Sequence, residues 1–244
     1  MMLFYKAWRE SQTRFLVGAL ALAGYCAFMV MNRSGTEGAF SERVVGHSYG
    51  EYIDSLVFSG FGKLVFVLPV IFLGLGGLLR ERARHTAAFT LALPVSRAHF
   101  IGSQIAVGLG EIALLAVVPG LVIPPLSALV HQSYPIAEAL RYGLLRFVGG
   151  SFIFAIAFLL SVFLRGAYTA PMACWVALLL QAQVASWRPL RPYGLSPLRT
   201  MDGRWDWIGS NINDPLPWTD LSIMMLLALA LFAVATKITQ RQSL

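Results

Sequence analysis

The sequence predicts an all-α integral membrane protein: six transmembrane helices behind an N-terminal interfacial amphipathic helix, as one membrane domain over residues 1–244. Three observations predict it. Apolar residues make up 57% of the chain and charged residues 13%, and the mean hydropathy is +0.67. A soluble core of this size could not hide so much apolar surface, so a second apolar solvent is needed, and a bilayer supplies it. Apolar runs of about 17–25 residues, the length that crosses a hydrocarbon core, recur along the chain. Lys and Arg gather at the ends of those runs, where they anchor helices against anionic head groups. The composition excludes a disordered chain, and two cysteines exclude a disulfide-rich secreted domain.

The first element is the amphipathic stretch 3–14. Leu3, Phe4, Ala7, Trp8 and Ser11 share one helical face, and Lys6, Arg9, Glu10, Thr13 and Arg14 the other. That pattern predicts a helix lying in the inner interface, with Tyr5 and Trp8 as aromatic anchors. The first span, 15–31, carries no charge, and Asn32-Arg33 is no small-residue cleavage site, so the run is expected to stay rather than be removed as a signal peptide. The second span, 56–79, holds only Lys63 near its start. The third, 97–118, is expected to end at Pro119-Gly120. The fourth, 142–164, holds Arg146 one turn inside, and the fifth, 167–186, follows after the minimal link Arg165-Gly166. The sixth, 221–236, is short unless Trp218 and Lys237 extend it into the interfaces. Between the fifth and sixth, 187–220 is rich in Pro and Trp, which suits short pieces at the outer interface.

Orientation rests on charge near span ends. Lys and Arg divide almost evenly between the two sides, but long loops cross regardless of charge, and the two long outer loops carry acids among their bases. Arg80, Arg82 and Arg84 directly follow a span. Both termini are therefore expected in the cytoplasm, with the chain in the inner membrane. A net charge of +7 is explained by this anchoring, without nucleic acid as a partner.

Self-contained chemistry is sparse. The Gly62-Lys63 pair is followed by Leu64, so the Ser/Thr of a phosphate-binding loop is missing and the chain is not expected to hydrolyse ATP itself. His47, His85, His99 and His131 are scattered, with no metal-binding spacing and no metal site expected. Gly149-Gly150-Ser151 is a weak nucleophile setting without a histidine in any span interior to act as base. Cys26 and Cys174 read as small packing residues. Glu111 is the sole acid inside a span, about two turns from the expected outer end of the third helix, and Arg146 has a similar expected depth in the fourth. A buried charge needs a partner or a cavity, so the two are expected to pair, either as a helix lock or as an ion-pathway site.

The most specific stretch joins the second and third spans. Glu81 follows the second span, Thr86 to Phe89 form a small-residue and aromatic stretch, and Leu93-Pro94-Val95-Ser96-Arg97 leads into the third. Here the chain resembles the permease (transmembrane) subunits of type-2 ATP-binding cassette exporters. Trp8, Arg14-Phe15, the six spans, the large last outer loop and the basic tail ending Gln240-Arg241 agree with that layout. The resemblance implies a membrane subunit forming half of a translocation path, not catalytic alone. It implies an ATP-binding cassette ATPase subunit as partner, carrying ATP and magnesium, and a second permease copy or homologue completing a dimer. It places the ATPase coupling in the cytoplasmic turn 80–97. There Phe89 and Leu91 are apolar knobs, and Glu81, Arg82, Arg84, Thr86 and Arg97 are polar or charged contacts. The alternative is an ion-coupled carrier or intramembrane enzyme using Glu111 and Arg146. A carrier normally shows paired broken spans from internal repeats, and no repeat joins 1–120 to 121–244.

Overall fold

A computed structural model describes residues 2–33, 48–75, 97–164, 169–186, 196–202 and 216–241. Every regular element among them is helical. In chain order they are α1 (Met2–Met31), α2 (Tyr49–Ile53), a π-helix (Asp54–Ser59), α3 (Phe61–Gly74), α4 (Arg97–Leu129), α5 (Ile136–Phe163), α6 (Thr169–Ser186), α7 (Pro197–Thr200) and α8 (Trp218–Arg241). Five stretches are long and apolar enough to cross a membrane: Leu3–Met31, Tyr49–Gly74, His99–Leu129, Ile136–Phe163 and Trp218–Gln240. The apolar part of α6, Thr169–Val184, is shorter. The last helix does extend past 221–236 at both ends, through Trp218 and Lys237.

α5 is the central helix. It packs against α3, α4, α6, α7 and α8, and its buried residues lie on all sides, the mark of a helix enclosed by others. The surrounding helices keep one apolar face outward: Leu16, Val17 and Leu20 on α1, Leu114 and Leu121 on α4, Leu179 and Leu180 on α6, and Leu226 and Leu229 on α8 are all exposed. So much outward apolar surface suits hydrocarbon rather than water.

Element boundaries differ from expectation elsewhere too: α5 begins at Ile136 rather than residue 142, and three further differences bear on the site. α1 runs unbroken through Arg14-Phe15, so no separate helix over 3–14 is seen. Its first half packs on α4 instead: Ala7 is buried, Ser11 meets Glu111, and Lys6 sits 5.4 Å from the centre of the Phe100 ring. Phe4, Tyr5 and Trp8 are the aromatic residues left exposed there.

The second helical run starts at Tyr49 rather than residue 56. Ser48 caps it, accepting from the Glu51 amide while the Glu51 carboxylate accepts from the Ser48 amide, the reciprocal capping box that satisfies two orphan donors. Glu51 and Asp54, which look like loop charges in sequence, thus belong to a helix. Asp54 accepts a 2.7 Å bond from the Tyr134 hydroxyl. Burial, and then the Asp54 carboxylate beside it, push the Tyr134 phenol well above its ordinary value, so it remains a protonated donor.

α4 does not stop at Pro119-Gly120. It continues through Pro119, Pro124 and Pro125 to Leu129. A proline removes one helical bond, but uncoiling in an apolar surround would strand many more backbone groups, so the helix persists. It ends where His131 takes φ 57°. The Gln132 amide then bonds the Ser127 carbonyl and the His131 amide bonds the Ala128 carbonyl, the paired bonds of a Schellman cap.

Close helix contacts are set by small residues. A Cβ on Gly18 would lie 2.5 Å from Pro69 Cβ, so α1 is notched where the Pro69 ring protrudes from α3. A Cβ on Gly74 would lie 2.6 Å from Ala157 Cβ and 3.2 Å from the Phe158 backbone nitrogen, so α3 touches α5 nearly backbone to backbone. Gly24 has open space around it. Gly74→Val is expected to cost about 1–3 kcal/mol by overpacking, while Gly24→Ala is expected to be neutral or slightly stabilising through helix propensity. Thermal unfolding in detergent of the two variants checks the contrast.

Candidate functional site

Two buried charges stand out in the bundle, and they do not meet. Glu111 lies 18 residues before Leu129 at the end of α4, and Arg146 lies 10 residues after Ile136 at the start of α5. At 1.5 Å per residue these are depths of about 27 Å and about 15 Å from the same end of the bundle. The expected matched depth assumed that α4 ended near Val118 and α5 began near Tyr142; longer helices at both ends move the two apart. Each charge has its own surroundings.

Arg146 is fully buried. Its Nη2 donates to the Val57 carbonyl at 2.7 Å and to the Phe58 carbonyl at 3.4 Å. Those carbonyls belong to the π-helix, just before Gly60 where the wider coil gives way to α3. A change of helical register leaves carbonyls without their regular amide partners, and the guanidinium supplies donors there. The cation is also 4.8 Å from the Phe58 ring centre and 5.4 Å from that of Phe66, favourable for a positive charge in an apolar site. Phe58 in turn stacks on Tyr142 at 4.1 Å. Packing is tight around it, since a Cβ on Gly150 of the same helix would lie 3.0 Å from Ile112 and 3.2 Å from Phe66. The arrangement holds a helix break; it has the character of a fixed strut.

Glu111 is also buried, at 1% exposure, but beside open space. Ser11 of α1 donates to its Oε1 at 2.5 Å. A cavity of about 30 Å³ adjoins it, lined by Ala7, Glu10 and Ser11 of α1, Leu73 of α3, Gln104, Val107, Gly108 and Glu111 of α4, and Phe154 and Phe158 of α5. Glu111 Oε2 and Gln104 Oε1 are buried without a hydrogen-bond partner. Four helices therefore converge on one acidic pocket near the end of the bundle where α1 begins. Arg14, one turn beyond Ser11, ties α1 to α3 there by donating to the Phe72 carbonyl at 2.9 Å.

A third polar cluster closes the opposite side of the fold. Lys63 of α3 pairs with Asp202 at 2.6 Å and reaches the Leu198 carbonyl at 3.4 Å. This pins α7 against α5, where Gly149 accommodates Met201 and the Pro197 carbonyl. Lys63, which in sequence reads as an anchor near a span start, is therefore an interhelical clamp.

Of the residues singled out from sequence, Glu111 and Arg146 are both buried among helices, though apart. Glu81, Arg82, Arg84, Thr86, Phe89 and Leu91 lie outside the described residues; Arg97 opens α4, and only its backbone is described. Ser151 donates to the Phe147 carbonyl at 2.7 Å, and Cys26 and Cys174 are buried free thiols. Gln104 escapes a search for charges because an amide is neutral, yet it sits seven residues before Glu111 and thus on the same helical face. Ser11 reads as part of an apolar face, and only its long-range partner reveals its role.

Comparison with protein-family models, with curated proteins and with solved structures gives no match in any of the three.

Because Glu111 and Arg146 have separate partners, their substitutions are expected to be additive. Arg146→Met leaves the Val57 carbonyl unpartnered and is expected to cost about 1–3 kcal/mol. Combined with Glu111→Gln, the loss should equal the sum of the single losses within about 0.5 kcal/mol. A double-mutant cycle on unfolding in detergent measures it, and a coupling well beyond that range would restore the direct pair.

Proposed function

We propose that this chain is the membrane-spanning subunit of an ATP-driven exporter in the cytoplasmic (inner) membrane, a permease working with a separate ATP-binding cassette ATPase. The observation that carries the reading is the run from Glu81 through Leu93-Pro94-Val95-Ser96-Arg97, with its resemblance to type-2 exporter permeases. The helical bundle is compatible with it. α3 ends at Gly74 and α4 begins at Arg97, both at the end where α1 begins. A connection there is long enough to receive force from a partner, whereas the link between α5 and α6 is short. In this reading both termini face the cytoplasm, α6 provides the sixth crossing, and a second permease copy or homologue supplies the other half of the path. The outward apolar faces of α1, α4, α6 and α8 offer surface for that partner as well as for lipid. ATP and magnesium belong to the ATPase.

A second reading, an ion-coupled carrier, draws on one observation, the cavity at the Glu111 carboxylate. Arg146 has no part in it, being engaged by the π-helix carbonyls.

The test of the leading reading is assembly. Phe89→Ala removes an aromatic anchor, and anchors of this kind are worth about 2 kcal/mol, or roughly thirtyfold in affinity. Loss of ATPase co-purification, or ATPase activity that no longer responds to transported substrate, is expected for Phe89→Ala and Glu81→Ala. Wild-type assembly and transport in both would refute the coupling assignment. The orientation is checked separately: cysteines placed at Ser34 and Ser243 should label from opposite faces of the membrane, and labelling from one face would refute it.

A further inference from the structure

The cavity beside Glu111 is lined by hydrogen-bond acceptors in excess of donors. Ser11 has one hydroxyl proton, yet its oxygen faces three acceptors: Glu111 Oε1 at 2.5 Å, the Ala7 carbonyl at 3.0 Å and the Trp8 carbonyl at 3.2 Å. Whichever it serves, Glu111 Oε2 and Gln104 Oε1 stay without a donor. Turning the Gln104 amide over would present its NH₂ group and mend the acceptor count, but it adds no charge. Among the described residues, no Lys, Arg or His nitrogen comes within 4.0 Å of the Glu111 carboxylate; Arg14, one turn along α1 from Ser11, acts on it from further away while donating to the Phe72 carbonyl, and Lys6 pairs with Glu10 at 4.0 Å. A buried carboxylate in an apolar bundle needs compensation.

The space is the right size for one small species. A water or ion of similar size needs about 10–15 Å³, and about 30 Å³ is present. A water could donate to both orphan oxygens but would leave the negative charge standing. A monovalent cation answers both deficits. A divalent ion suits the site less well: Glu10 already has Lys6 beside it, Arg14 adds a further positive charge nearby, and no group of three or more His, Cys, Asp or Glu exists among the described residues. Hard oxygen donors from a carboxylate, an amide and a hydroxyl favour an alkali cation.

We propose that Glu111, Gln104 and Ser11 form a binding site for a single monovalent cation of sodium's size, held between α1 and α4. The site joins two helices whose contact otherwise rests on apolar packing and the Lys6 ammonium over the Phe100 ring, so occupancy locks the first half of α1 to the bundle. This assignment does not rest on the exporter reading, and its test needs no ATPase.

The experiment is thermal unfolding of the purified full chain in detergent at constant ionic strength, with sodium chloride replacing N-methyl-glucamine chloride, whose cation is too large for the cavity. A saturable rise in Tm with sodium is expected, because a ligand bound only to the folded state stabilises it. Glu111→Gln and Gln104→Leu are each expected to raise the half-saturating sodium concentration by about tenfold or more, since contacts to charged groups are worth about 1.5–3 kcal/mol. Ser11→Ala should raise it less. Equal Tm values in the two salts overturn the proposal, including the case where Tm in N-methyl-glucamine changes with pH alone, which would mean that a proton compensates Glu111. An unchanged sodium midpoint in Gln104→Leu also overturns it. If Glu111→Gln does not fold, Gln104→Leu and Ser11→Ala decide the matter by the same midpoint.

Discussion

The contact between Arg146 and the Val57 carbonyl is the interaction on which the rest of the bundle depends. A helix that changes from π to α coil inside an apolar surround must find donors for the carbonyls at the change. Arg146 reaches them from the central helix, and the same guanidinium lies over Phe58 and Phe66. The direction of α3 beyond Gly60 is thereby fixed relative to α5. Gly74 then meets Ala157 at the far end of α3, Pro69 fits the notch at Gly18, and α1 is carried to its place along α4. The acidic pocket at Glu111 follows from that chain of contacts, since its walls come from all four helices.

The general fold was legible in the sequence because apolar length is a strong signal in a bilayer. The limits of helices were less legible, for a reason tied to the same solvent. Pro119-Gly120 ends a helix in water, where uncoiled backbone can be hydrated; it does not do so in α4, where hydration is lacking. Likewise Glu51 and Asp54 suggest a hydrated loop, but a serine cap and a tyrosine hydroxyl absorb their polarity and the helix begins before them. Both shifts lengthen helices; the first of them, with the earlier start of α5 at Ile136, explains why two charges of similar expected depth lie about 12 Å apart along the bundle axis.

The candidate site was half legible. A lone acid in an apolar run is conspicuous, so Glu111 was found. Its partner could not be read correctly, because depth depends on helix ends and facing depends on which helices adjoin. Arg146 illustrates the point from the other side: its acceptors are main-chain carbonyls, which carry no residue signature, and nothing in Asp54–Ser59 announces a π-helix. Sequence patterns name side chains, whereas this bundle meets much of its polar demand with backbone.

The order of these partners along the chain has a bearing on biogenesis. Synthesis proceeds from the N-terminus, and the two fully buried charges, Glu111 and Arg146, each come after at least one group that receives them. Ser11 precedes Glu111, and the Val57 and Phe58 carbonyls precede Arg146. The nascent chain thus need never hold Arg146 in the membrane without its acceptors already made. α4 and α5, joined by the short turn after the His131 cap, bring both lone charges in as one hairpin, to a place that α1 and α3 have prepared.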